Sequence, residues 1–280
     1  MEASALTLRE IYRAGITFWF GNHYKLDAYV LRDGKKHPFA LICPGGAYML
    51  VSEENEGHTF AVELNRRGIS AFVLHYRCRR KGRYPAPQQD VARALHEILA
   101  QADALHLDAE NYSLWGSSAG GHLAASFATH EMGCSHYGLP QPAVLVLCYP
   151  VITMGACGHK QSRQNLLGPH PSADLVQLTS VENHITPDFP PTYVWSGDAD
   201  HEVDVQNSRL LVQALRRCSV DYMFRLFPGV GHGVGLGKGL SCAGWLDEAV
   251  AFWSAHNRGE QQKSKRTSGT VVDLLSFTLE

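Results

Sequence analysis

The sequence lacks the features that mark several protein classes. Its 280 residues carry a formal net charge of −2, which leaves no basic surface for nucleic acid or for a polybasic membrane contact. No uninterrupted apolar run is long enough to cross a bilayer, so no membrane span is expected. The first ten residues, MEASALTLRE, lack a basic segment followed by an apolar one, so we expect no secretory signal peptide.

The cysteines are few and irregularly spaced. Seven are present, an odd number without any C-x-x-C pair, which argues against a disulfide framework and against a zinc knuckle. No frame fits G-x-G-x-x-G, and the Gly-Lys pair in GLGKGL is not followed by Ser or Thr, as a phosphate-binding loop requires. We therefore expect reduced thiols in the cytoplasm, and neither a metal nor an organic cofactor.

What the sequence does contain is an alternation of strand and helix patterns. Apolar, aromatic-rich runs predict strands at residues 25–31, 39–44, 69–77, 111–116, 143–150, 191–197 and 221–229. Runs of this kind are typical of strands buried on both faces of a parallel sheet. Amphipathic patterns predict helices at residues 58–68, 88–103, 121–130, 208–218 and 243–256. The fold class is therefore α/β, with a mostly parallel, doubly wound central sheet and helices on both faces.

We interpret residues 1–258 as one domain. Residues 154–190 are rich in Gly, Pro, His and Asn and are long for a plain connection, so we expect a small cap-like excursion there. Residues 259–280 begin polar and form a separate C-terminal tail, of which the first half is predicted to be flexible.

Residues 111–130, NYSLWGSSAGGHLAASFATH, carry the strongest functional signal. Gly116 to Gly120 match G-x-S-x-G centred on Ser118, with a predicted strand before the motif and a predicted helix after it. Small neighbours allow a serine to occupy a strained strand-to-helix turn, and the helix N-terminus adds free N–H groups. The motif predicts Ser118 as a nucleophile; the alternative is a Gly/Ser turn that only caps the helix.

A serine nucleophile needs an imidazole base and a carboxylate that orients it. His232 follows an apolar run and lies in the glycine-rich stretch PGVGHG, a context that the other candidates lack, namely His170, His184 and His201. Asp200 lies a few residues past another predicted strand and is the favoured carboxylate, with Asp198 and Asp204 as alternatives that would otherwise cap the next helix.

The turn after residues 39–43, Pro44-Gly45-Gly46, can present backbone N–H groups to an anion. We predict an oxyanion hole formed by the N–H groups of Ala119 and Gly46, with Gly45 and Ala47 as alternatives to Gly46. Gly45, Ala47 and Tyr48 are also candidate pocket residues, although Tyr48 could equally serve packing.

Six segments together resemble the alpha/beta-hydrolase esterases of the hormone-sensitive-lipase and BD-FAE-like branch, in particular acetyl-xylan esterases and acetyl esterases. They are CPGGAY, VLHYR, YPAPQQDVARAL, GSSAGGHLAA, PPTYVWSGDAD and PGVGHG, and the likeness covers about residues 26–257. It implies the alpha/beta-hydrolase fold and the triad Ser118, Asp200 and His232.

The chain departs from the common H-G-G-G of such relatives, because it has Ala47 after Gly45-Gly46, and a positive φ at Ala47 would strain the oxyanion hole. Arg77, Asp90 and His122 also fall in family-like or helix positions and are expected to be structural.

The favoured function is hydrolysis of short acyl esters, with acetyl groups and sugar alcohols as the expected parts of a small-molecule substrate. Two alternatives stay open: a serine peptidase of the same fold, and a non-catalytic binding protein that retains it. The sequence makes no prediction of oligomeric state.

Overall fold

A computed structural model describes residues 16–20 and 24–257. The predicted tail at 259–280 and the first ten residues, on which the signal-peptide prediction rests, lie outside the described residues.

Eight strands form a single sheet in the described part of the chain. They are β1 (Ile16–Phe20), β2 (Tyr24–Tyr29), β3 (His37–Cys43), β4 (Ser70–His75), β5 (Leu107–Ser117), β6 (Val144–Cys148), β7 (Thr192–Gly197) and β8 (Tyr222–Phe227). Their spatial order is β1-β2-β4-β3-β5-β6-β7-β8. The β1/β2 and β2/β4 pairs are antiparallel and the remaining pairs are parallel, so the predicted mostly parallel sheet is confirmed.

Helices cover both faces of this sheet. They are α1 (Thr59–Asn65), α2 (Ala86–Ala100), α3 (Ser118–Phe127), α4 (Lys160–Leu167), α5 (Ala173–Thr179), α6 (Gln206–Arg217) and α7 (Trp245–Ala255), with a π-helical turn at Glu54–His58 directly before α1. All five predicted helices are present. The segment 154–190 contributes α4, α5 and a 3₁₀ turn at Val181–Asn183; its role as a cap stays a prediction.

Two apolar layers hold the helices to the sheet. Leu41 and Leu145 face a core shared with α2, α3 and α6, whereas their neighbours Ile42 and Val146 face a second core shared with α1 and α7. Adjacent strand residues alternate between the two faces, so burial on both sides requires an apolar side chain at nearly every position. The expectation of two buried faces is wrong for β8, which is half-exposed because it forms the edge of the sheet.

An ion pair joins the segment that follows β4 to helix α2. The Arg77 side chain donates from Nε to both carboxylate oxygens of the fully buried Asp90 at 2.9 Å, and the Arg77 backbone N–H donates to the same carboxylate at 2.8 Å. Burial raises the pKa of Asp90, while these hydrogen bonds oppose that effect. Both residues therefore make a contact that agrees with the structural role expected from the sequence.

Candidate active site

The turn that carries Ser118 lies where β5 ends and α3 begins. Ser118 has a φ of +53°, a left-handed conformation that is strained for a residue with a side chain. A Cβ on Gly116 would lie 2.3 Å from the Gly120 oxygen, and one on Gly120 would lie 2.0 Å from the Cys43 oxygen. Because the start of α3 lies so close to the end of β5 at Gly116 and to the end of β3 at Gly120, both outer positions of the motif must be glycine.

The side chains of Ser118, His232 and Asp200 form one hydrogen-bonded chain. His232 Nε2 lies 2.8 Å from Ser118 Oγ, and His232 Nδ1 lies 2.7 Å from Asp200 Oδ2. A carboxylate can only accept, so Nδ1 carries the proton and Nε2 is left to accept from the serine hydroxyl. This is the tautomer that a general base requires, although the catalytic roles themselves stay predictions.

The Asp200 carboxylate is fixed by its own neighbours. Its side chain is 1% exposed, and its second oxygen accepts hydrogen bonds from the backbone N–H groups of Glu202 at 3.0 Å and Val203 at 2.9 Å. One oxygen is thereby occupied by the turn after β7, which directs the other toward His232.

The two competing aspartates have other partners. Asp198 accepts from the backbone N–H of Gly229 at 2.6 Å and so joins the ends of β7 and β8, instead of capping a helix. Asp204 accepts from the N–H of Gln206 at 2.8 Å and caps the start of α6. Among the competing histidines, His170 and His201 are exposed and His184 lies beside Glu131. The structure brings none of these five residues into the Ser118–His232–Asp200 chain.

The loop after β3, residues 44–48, is the predicted oxyanion loop and lies beside Ser118, but its donors are not equivalent. The Gly45 N–H already donates to the Glu56 carboxylate at 2.8 Å, which removes Gly45 as an alternative oxyanion donor. The N–H groups of Gly46, Ala47 and Ala119 have no acceptor within residues 24–257. Gly46 has a φ of +124° and a Cβ there would lie 2.2 Å from the Leu50 oxygen, so glycine is required.

Ala47 has the positive φ that the sequence analysis identified as a source of strain. Its φ is +56° and that of Tyr48 is +57°, conformations that cost of order 1–3 kcal/mol each. Asn165 of α4 donates from Nδ2 to the Ala47 carbonyl at 2.7 Å, which helps to hold the loop in this shape. The segment 154–190 therefore contacts the oxyanion loop directly.

The structure places the Tyr48 ring in the core, so the candidate pocket role is wrong for this residue. Its side chain is 0% exposed, and its hydroxyl donates to His122 Nδ1 at 2.8 Å. His122 Nε2 in turn donates to the Thr179 carbonyl at 2.7 Å, and burial lowers the pKa of His122 to about 4. The positive φ after Gly46 turns Tyr48 inward, where packing rather than binding decides its place. Gly45 is also buried, whereas Ala47 is half-exposed and stays a candidate pocket residue.

Sequence reasoning missed Glu56, a buried carboxylate that joins the predicted oxyanion loop to the loop that carries His232. Glu56 is 3% exposed; its Oε2 accepts from the Gly45 N–H, and its Oε1 accepts from the Tyr149 hydroxyl at 2.7 Å. The Tyr149 ring packs edge-on against the His232 ring with centroids 4.8 Å apart, and the Gly235 N–H donates to the Tyr149 oxygen at 3.2 Å.

Glu56 has an unusual buried environment, but its local sequence does not distinguish it from neighbouring acids. Burial raises the pKa of its carboxyl, and the hydrogen bonds from Tyr149 and Gly45 oppose that rise. Glu56 lies among three acids in SEENEGH, and nothing local distinguishes it from Glu53 and Glu54. Its partner Tyr149 is 93 residues away, so no short motif could connect them.

A solvent-open cavity of about 460 Å³ adjoins the carboxylate end of this chain of side chains. Residues 156–160 of the segment before α4 line one side, and Asp200, His201, Glu202 and Asp204 line the other. The pKa of His159 is lowered by burial and by the positive charge that His232 can carry, while Glu202 and Asp200 oppose this effect. The cavity wall presents several side chains that can form hydrogen bonds, and one of its residues, Asp200, contacts His232.

No helix within the described residues is both apolar enough and long enough to cross a membrane.

Known proteins resemble this chain over most of its length. It is 31% identical to an endo-1,4-beta-xylanase B of Butyrivibrio fibrisolvens, over 79% of this chain and 36% of that protein. It is 31% identical to an acetylxylan esterase of Xylanibacter ruminicola, over 75% of this chain and 44% of that protein. The chain thus spans less than half the length of these two relatives.

Solved structures show the same architecture. An acetyl ester-xyloside bifunctional hydrolase from Caldicellulosiruptor lactoaceticus superimposes with a TM-score of 0.77 at 32% identity, over 83% of this chain and 88% of that chain. The carboxylesterase Cest-2923 from Lactobacillus plantarum gives a TM-score of 0.72 at 26% identity, over 86% of this chain and 96% of that chain. The predicted alpha/beta-hydrolase fold is confirmed. The BD-FAE family model matches residues 26–215, and with this match over more than half of its length the chain belongs to the BD-FAE family.

Proposed function

We propose that the protein is a serine carboxylesterase that hydrolyses short acyl esters, acetyl esters above all, through an acyl-enzyme. The single observation that carries the proposal is the hydrogen-bonded placement of His232 between Ser118 Oγ and Asp200 Oδ2, at 2.8 and 2.7 Å. The relatives named above, several of which are esterases, support the same reaction class.

The first half-reaction forms the acyl-enzyme. Ser118 Oγ attacks the ester carbonyl carbon while His232 Nε2 takes the hydroxyl proton, and Asp200 stabilises the imidazolium that results. The tetrahedral intermediate then collapses: the bond to the alcohol oxygen breaks, and His232 gives its proton to the departing alcohol. Water attacks the acyl group in the second half-reaction, again with His232 as base, and releases the acid and free Ser118.

The developing oxyanion would be bound by backbone N–H groups. Ala119 and Gly46 are the proposed donors, and Ala47 is the alternative to Gly46. One such donor contributes about 3 kcal/mol to transition-state stabilisation. The position of Ala119 in the first turn of α3 adds the positive end of the helix dipole.

The alcohol part of the substrate is proposed to be hydroxyl-rich, such as an acetylated sugar. The cavity beside Asp200 presents His159, Lys160, His201 and Glu202, which are side chains that can exchange hydrogen bonds with sugar hydroxyls. The exposed, apolar Met49 and Leu50 follow the oxyanion loop and offer a small contact for an acyl group.

The experiment compares ester classes and tests the nucleophile. Purified protein should release nitrophenol from nitrophenyl acetate faster than from long-chain esters, and should release acetate from acetylated xylo-oligosaccharides. A fluorophosphonate probe should label the wild-type chain and fail to label Ser118→Ala. Labelling that persists in Ser118→Ala, or preference for an aminoacyl amide, would contradict the proposal.

We also propose a cytoplasmic location. It is supported by the seven cysteines, all of which are free thiols, since cysteines of secreted proteins are more often paired. The finding of intact disulfides in protein isolated without reductant would argue against this location.

A further inference from the structure

We propose that Asp27, Glu53, His58 and His75 form a binding site for a divalent transition metal, with Zn²⁺ as the best fit. Each of the four side chains offers one ligand atom, and these atoms lie within 4.8 Å of one another. In the described part of the chain no other group of three or more such side chains meets this condition. Two imidazoles and two carboxylates are a donor set that Zn²⁺ accepts in proteins.

The four residues come from three elements at the antiparallel side of the sheet. Asp27 lies on β2 and His75 ends β4, which pairs with β2, while Glu53 and His58 lie at the two ends of the π-helical turn. His75 Nε2 is 2.6 Å from Asp27 Oδ2 and its Nδ1 is 2.7 Å from Glu53 Oε2. His58 Nε2 approaches the same Asp27 oxygen at 3.8 Å. The Asp27 carboxylate is therefore the common centre of the cluster.

A neighbouring hydroxyl orients one of the imidazoles. The Tyr29 hydroxyl lies 2.6 Å from His58 Nδ1, while Nε2 of the same ring faces Asp27. Metal-binding histidines commonly use one ring nitrogen for the metal and the other for an outer hydrogen bond of this kind. The Tyr29 hydroxyl thus holds the ring of His58 with Nε2 directed toward the Asp27 carboxylate, where a metal would bind.

A bound metal would compete with one positive charge at this place, because Lys25 Nζ lies 2.9 Å from Asp27 Oδ2. Lys25 is partly exposed and can move into solvent.

The π-helical turn connects the proposed metal site to the proposed active site. Glu53 and His58 bracket Glu56, the residue whose carboxylate holds the Gly45 N–H. A metal bound at both ends of the turn would fix the backbone that presents Glu56. Metal binding would change the stability and order of this turn whether or not the protein has the proposed esterase function.

The test measures metal binding and thermal stability of the full chain after removal of metals with EDTA. Zn²⁺ at about a hundredfold excess over its dissociation constant should raise the melting temperature by roughly 5–8 °C. Co²⁺ should give the intense visible absorption of a four-coordinate centre. Glu53→Gln should weaken Zn²⁺ binding at least about tenfold, and because Glu53 is partly exposed the variant should still fold.

Two further variants separate a metal site from general histidine binding. Lys25→Met should tighten Zn²⁺ binding, because it removes the competing ammonium group. His130→Gln is the matched control: His130 pairs with Asp188 at 2.7 Å, an exposed histidine–carboxylate pair outside the cluster, and its loss should leave binding unchanged. Equal Zn²⁺ binding by wild type, Glu53→Gln and Lys25→Met would overturn the proposal. So would a rise in melting temperature with Zn²⁺ that His130→Gln reduces as much as Glu53→Gln does. The four side chains would then form a hydrogen-bond network without a metal.

Discussion

The Glu56→Gln variant removes the charge from the buried network that holds the oxyanion loop. In the wild type, one carboxylate oxygen accepts from the Gly45 N–H at 2.8 Å and the other from the Tyr149 hydroxyl at 2.7 Å. A glutamine amide has one oxygen and one NH₂ group, so it can accept from only one of these two donors. Whichever way the amide turns, either Gly45 or Tyr149 loses its acceptor.

The magnitude follows from two opposing effects. A buried donor left without an acceptor costs about 1–3 kcal/mol, whereas the neutral amide avoids the burial of charge that raises the pKa of Glu56. We therefore expect a small net change in the free energy of unfolding. Complete loss of one oxyanion donor lowers kcat by about 10²–10³, and a loosened loop should lose part of that, about tenfold to a hundredfold. KM should change little, because the oxyanion exists only near the transition state.

The assay is steady-state hydrolysis of nitrophenyl acetate together with thermal unfolding. Glu63→Gln is the matched control, since Glu63 lies on the adjoining helix α1, pairs with Arg66 and Arg67 near the surface, and should leave kcat unchanged. The reasoning is refuted if Glu56→Gln folds normally and retains the wild-type kcat. It is equally refuted if kcat falls only in proportion to the fraction of unfolded protein, because the residue would then act on stability alone.

Three further predictions concern the acid partner, pH and the buried ion pair. Asp200→Asn should lower kcat by about 10⁴ because the imidazole loses its orienting acceptor, whereas Asp204→Asn, which affects only a helix cap, should stay within a fewfold in the same assay. His122 has a pKa of about 4 in the folded state and about 6.5 in the unfolded state, so its contribution to stability is complete above pH 6.5 and is lost as the pH falls toward 4 and below. This contribution amounts to about 3 kcal/mol in all. Urea unfolding at several pH values should show that His122→Gln removes this dependence. Arg77→Met should cost about 3–5 kcal/mol in urea unfolding, since it removes the guanidinium that pairs with the buried Asp90 carboxylate and leaves only the backbone N–H of residue 77 as a donor, and adding Asp90→Asn should recover part of the loss.

The elements of the fold could be predicted because their signals are local. Apolar runs such as 143–150 and amphipathic runs such as 208–218 report burial directly, and alternation of the two predicts a parallel sheet. The edge position of β8 could not be predicted from its largely apolar composition. It follows from the strand order, in which β8 pairs with β7 alone and so has no strand on its other side.

The candidate site divides in the same way. The turn around Ser118 is recognisable from the chain alone, since Gly116 and Gly120 are needed by contacts within a few residues and with the adjacent strand. The choice of Asp200 over its neighbours depended on which carboxylate reaches a histidine 32 residues away. The inward turn of Tyr48 depended on a hydrogen bond to His122, 74 residues away.

By itself, then, the sequence determined the alternating α/β architecture, the strained serine turn and the short set of residues from which its partners could come, because these depend on burial patterns and on local backbone geometry. Only the tertiary structure decided which carboxylate faces His232, that Glu56 connects the two loops around Ser118, and that Asp27, Glu53, His58 and His75 meet. These contacts depend on how separate segments pack across the sheet, and the spacing of residues along the chain does not predict that packing.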